Sequence, residues 1–174
     1  MPELNNQNFN HLKIHTQYSI CEGAIKIENL KDFCKEKKIP CLGLSDTSNL
    51  FGALEFAENI SKVGTQPIIG TQIYFRFDDT TGLLPLIALN ENGYKKIIEL
   101  SSRSYLENDT LSDPHLDIKE LLIDTEGVSL LSGTIHGLFG KLFEKGRLDE
   151  ISKLYKLSLI HISEPTRRSW ISYA

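Results

Sequence analysis

The chain has 174 residues, of which 40% are hydrophobic and 24% charged, and its formal net charge is −4. That length allows one core of ordinary size, and without a lysine- or arginine-rich stripe the chain lacks the electrostatic footprint of an autonomous DNA binder. It has no run of about 20 consecutive apolar residues that could span a membrane. The first fifteen residues, with Asn5, Asn6, Gln7 and Asn10, hold no apolar stretch of the kind a secretory signal needs. Cys21, Cys34 and Cys41 form no C-x-x-C pair and leave one thiol over in any disulfide scheme, which points to a reducing cytoplasm. Cys34 lies among apolar helix positions and reads as a small core residue.

Residues 1–9 are polar and read as a loose end. His11 to His15 alternates like a short strand, followed by an irregular stretch to Ala24. From Ile25 to Lys38 the apolar Ile27, Leu30, Phe33 and Cys34 recur at helical steps. Pro40 stops that helix, and Cys41-Leu42-Gly43-Leu44 is a nearly continuous apolar strand of the two-sided kind found in parallel sheets. Ser48 or Asn49 can cap a second helix whose apolar positions are Leu50, Leu54, Ala57 and Ile60. A third strand runs from Pro67 through Phe75, Asp78 to Thr81 form a turn, and Leu83 to Leu89 is a fourth strand. A third helix spans Glu91 to about Leu106, with Tyr94, Ile97, Ile98 and Tyr105 on its inner face. A small helix at Ile118–Ile123, a strand at Val128–Leu131 and a helix at His136–Glu144 follow. Strands alternating with helices predict an α/β fold with a largely parallel sheet, with strands near 11–15, 41–45, 67–76, 84–89 and 127–131.

Residues 157–174 read differently. Leu157 to Arg167 matches the translation of a transposon-end adapter used in sequencing libraries, and after a barcode the same adapter frame resumes at Ile171-Ser172-Tyr173-Ala174. The stretch is therefore set aside as an artefact, and His161, Trp170 and Tyr173 are assigned no function.

Ligand-type residues cluster at strand ends: His11-x-Lys13-x-His15, then Ser45-Asp46-Thr47-Ser48-Asn49, then Gly70-Thr71-Gln72. In a β/α barrel such ends build the active site. His15 and Asp46 are the good metal ligands there, and a catalytic metal needs about three protein donors. Lys13 places a cation beside them and could pair with Asp46, which favours a polar network bracing the barrel mouth. His115 and His136 read as solvent-exposed or capping imidazoles. Ser19 and Ser132 have no base placed by the sequence, so nucleophilic catalysis is not supported. No G-x-x-x-x-G-K-S/T or G-x-G-x-x-G run is present.

The segments His11 to Ser19 with Glu22-Gly23-Ala24, Leu44 to Gly52, Gln66 to Gln72 and Leu130 to Gly133 resemble, in order and spacing, motifs of the PHP (polymerase and histidinol phosphatase) domain at the start of bacterial DNA polymerase III alpha subunits. The resemblance covers residues 10–156 as a partial PHP domain and implies an incomplete, distorted β/α barrel, TIM-like in kind. It also implies that the chain is an N-terminal fragment whose parent is a cytoplasmic DNA-directed DNA polymerase, a nucleotidyltransferase, and that the polymerase active site lies outside it.

Metal-competent members of that family carry histidines at the positions of Lys13 and Thr47, an acid at Gln72 and often a cysteine at Thr134; His15 and Asp46 match. The resemblance thus implies that Lys13, His15, Asp46, Thr47, Gln72 and Thr134 form a vestigial site, with no catalytic residue, metal ligand set or cofactor in this segment. Members with an intact site bind divalent metals. The implied partners are a proofreading exonuclease subunit and the rest of the polymerase III holoenzyme, with DNA contacted through other domains and no membrane. The expected role is a non-catalytic scaffold and docking domain. The alternative is a metal-dependent PHP phosphoesterase or 3′–5′ exonuclease.

Overall fold

A computed structural model describes residues 10–108, 113–123 and 126–159. Its elements are α1 (Ile27–Lys37), β1 (Cys41–Thr47), α2 (Ala53–Ser61), β2 (Gln66–Phe77), β3 (Thr80–Ala88), α3 (Glu91–Leu106), β4 (Leu116–Asp117), α4 (Ile118–Ile123), β5 (Val128–Leu130), α5 (Leu138–Glu144) and α6 (Leu148–Leu159). The fold is mixed α/β with an open sheet. The chain divides into two compact units with the boundary after Gln72, inside β2.

In the first unit β1 and β2 pair in parallel, from Cys41 opposite Gln66 to Thr47 opposite Gln72. The expected strand at His11–His15 is present only as an isolated parallel bridge of Ile14 with Leu44. The Ile14 amide donates to the Gly43 carbonyl at 3.1 Å, and the Ser45 amide to the Ile14 carbonyl at 2.8 Å. Gly43 is required for this approach, because a Cβ there would sit 2.5 Å from the Leu12 carbonyl oxygen. The core is Ile27, Leu30 and Cys34 of α1, Leu42 and Leu44 of β1, and Ala53, Phe56 and Ile60 of α2, with Ile14 and Ile69 packed against it. Cys34 is buried and its thiol is pushed up by that burial, in keeping with a core role.

In the first unit two helix faces differ from those expected from the sequence. Phe33 of α1 is 42% exposed, and α2 buries Ala53, Phe56 and Ile60 while Leu54 stands 72% exposed. α2 begins after Gly52 and has no side-chain cap; Asn49 accepts instead from the Phe51 amide at 3.1 Å, holding the turn before the helix.

In the second unit β2 continues through Phe77, and the two-residue turn Asp78-Asp79 leads directly into β3. No helix separates these neighbouring strands, and β3 pairs with β5 antiparallel, so the sheet is mixed where a largely parallel one was expected. β4 adds to β2 in parallel through Phe75–Leu116 and Arg76–Asp117. α3 occupies the expected span, but its buried face is Gly93, Ile97, Leu100 and Ser104, while Ile98 and Tyr105 are 41% and 53% exposed. The reason lies at Gly93: a Cβ there would meet the Gly127 carbonyl oxygen at 1.8 Å, so this glycine sets which side of α3 is pressed inward. Asn90 caps the helix by accepting from the Gly93 amide at 2.9 Å. An ion-pair cluster ties the β2–β3 turn to the α5–α6 junction: Arg147 reaches Asp78 and Asp79 at 2.7 Å each, and Lys145 reaches Asp79 at 3.0 Å.

α6 extends to Leu159, three residues into the stretch 157–174; residues 1–9 and the remainder of that stretch lie outside the described residues.

Candidate functional site

β1 alternates its side chains between two faces. Leu42 and Leu44 enter the core shared with α1 and α2, and Asp46 follows them on that same face. Ser45 and Thr47 belong to the opposite face, which Gln72 joins because it lies opposite Thr47 in the ladder. Ile14 packs with the core, so its neighbours Lys13 and His15 turn towards the Ser45 and Thr47 side. The two residues taken from the sequence as a ligand pair, His15 and Asp46, therefore leave their strands on different faces and are linked through Ser19 Oγ, 3.4 Å from His15 Nδ1 and 2.7 Å from Asp46 Oδ1.

Asp46 is fully buried and both its oxygens are engaged. Oδ1 accepts from the Thr16 amide at 2.6 Å and from Ser19 Oγ at 2.7 Å, and Oδ2 accepts from Thr16 Oγ1 at 2.7 Å. These bonds fold the chain after Thr16 over the end of β1. Neighbouring bonds extend the brace: Thr71 Oγ1 donates to the Asp46 carbonyl at 2.6 Å and Asn49 Nδ2 to the Tyr18 carbonyl at 2.9 Å. No Lys13–Asp46 ion pair occurs among the described residues; the partners are Thr16 and Ser19, neither of which the sequence reading placed in the site. Their signal was the two short hydroxyl residues Thr16 and Ser19 soon after His15, whose side chains bond readily to nearby backbone and carboxylates.

On the other face, Thr47 Oγ1 donates to the Glu22 carboxylate and accepts from Gln72 Nε2 at 2.6 Å. The single Thr47 proton is spent on Glu22, which fixes the Gln72 amide with its nitrogen towards Thr47. That leaves Gln72 Oε1 buried and without a partner, as is Ser45 Oγ. His15 Nδ1 lies 3.4 Å from Ser19 Oγ and 4.0 Å from Glu22 Oε2. Ser19 gives its proton to Asp46, so it is an acceptor in the contact with His15 and in the 3.1 Å bond from the Thr47 amide. A buried serine committed in this way is no nucleophile. The His15 imidazole is held below its usual pKa by burial first and by the nearby Lys13 charge second, against the opposing pull of Glu22, Asp46 and the Ser45 backbone.

Lys13, His15, Thr47 and Gln72 thus share one face, Asp46 braces the other, and Thr134 is exposed in the second unit. His136 is exposed, and His115 is partly buried with its ring in contact with the Asp113 carbonyl at 2.8 Å. Divalent metal does not fit this donor set. Beside Thr47 and Gln72 stand the His15 imidazole, the Glu22 carboxylate and the Lys13 ammonium, and no three His, Cys, Asp or Glu side chains converge among the described residues. No helix among the described residues is long and apolar enough to cross a membrane.

Comparison with known proteins gives a match of residues 11–164 to the PHP domain family. The DNA polymerase III subunit alpha of Caulobacter vibrioides is 37% identical over 161 residues, covering 87% of this chain and 14% of that protein. That of Thermus aquaticus is 35% identical over 155 residues, covering 81% of this chain and 13% of that protein. An amidohydrolase from Chromobacterium violaceum superposes with a TM-score of 0.41 at 19% identity, over 56% of this chain and 36% of its own.

Proposed function

The chain belongs to the PHP domain family, and from that membership we propose that it is the N-terminal PHP segment of a replicative DNA polymerase III alpha subunit, serving as a non-catalytic scaffold that docks a proofreading exonuclease subunit in the cytoplasm. The relatives supply the replicative context, although the chain spans only 14% of the length of the Caulobacter protein. The observation that carries the non-catalytic reading is the Thr47–Gln72 pair with Lys13 nearby: neutral groups and an ammonium stand at three positions where a hydrolytic metal centre needs anionic or imidazole donors. The same reading leaves residues 157–174 outside the domain as adapter-derived sequence, although the family match runs to residue 164. Codons at Leu157–Arg167 that differ from the adapter at several bases would overturn that assignment.

The metal-dependent phosphoesterase alternative is tested by thermal unfolding of the chain with zinc or manganese. At about a hundred times its dissociation constant a bound ion would contribute roughly 2.7 kcal/mol. No rise in melting temperature is expected; a rise that vanishes in His15→Ala would establish a metal site and reverse the conclusion. Docking is tested separately, by titrating the chain with the proofreading exonuclease subunit of the same genome.

A further inference from the structure

We draw no further inference here: the strongest candidate, the open apolar groove of about 330 Å³ in the second unit between the Ser132–Ile135 segment and helices α5 and α6, walled by Phe139, Phe143 and Ile151, carries nothing because nothing in the structure shows what covers it.

Discussion

Replacing Asp46 with alanine tests the structural role assigned to its carboxylate. The substitution strands the Thr16 amide, the Thr16 hydroxyl and the Ser19 hydroxyl, three donors in a fully buried place. Each buried donor left unsatisfied costs about 1–3 kcal/mol, but the two hydroxyls can turn towards other acceptors, so the sum is not additive. A loss of about 3–4 kcal/mol is expected, which for a chain of this size lowers the melting temperature by roughly 6–16 °C. Asp46→Asn is the discriminating variant. Its amide oxygen can keep the two bonds made by Oδ1, and the Thr16 hydroxyl can rotate to accept from the new NH₂ group, so about 1–2 kcal/mol is expected. Urea unfolding followed by circular dichroism measures both. Equal losses in the two variants, or a loss below about 1 kcal/mol in Asp46→Ala, would refute the assignment of Asp46 as the brace that folds the chain after Thr16 over β1.

The lowered His15 pKa means that the unfolded chain takes up a proton near pH 6.5 before the folded one does, so stability falls as pH drops below about 6.5. His15→Gln flattens that dependence between about pH 7.5 and 5.5, and thermal melts across this range check it. Gly43→Ala drives a methyl group against the Leu12 carbonyl and costs about 1–3 kcal/mol, read from the urea midpoint. Arg147→Ala removes the ion pairs to Asp78, Asp79 and Glu150 and the stacking of the guanidinium over Phe77, and it lowers the melting temperature slightly, an effect that high salt diminishes.

Local periodicity and punctuation in the sequence were enough to place α1 after the irregular stretch, β1 after Pro40, α3 at Glu91–Leu106 and α4 at Ile118–Ile123. These spans are set by helical spacing, caps and breakers that act within a few residues. The ordered motifs likewise disclosed the PHP family, because residue types at strand ends survive in the linear text.

The facing of those elements was decided elsewhere. Leu54 and Ile98 are as apolar as Phe56 and Ile97, yet they point outward, and on α3 it is Gly93 that permits the close approach on the buried side. Linear spacing also made His15 and Asp46 look like co-ligands, whereas in the fold the Asp46 carboxylate is taken up by Thr16 and Ser19 and meets His15 only through Ser19 Oγ. A sequence lists donors and acceptors, but hydrogen bonds form only where the pleat and the ladder register bring them within about 3 Å, and that depends on residues some thirty positions away.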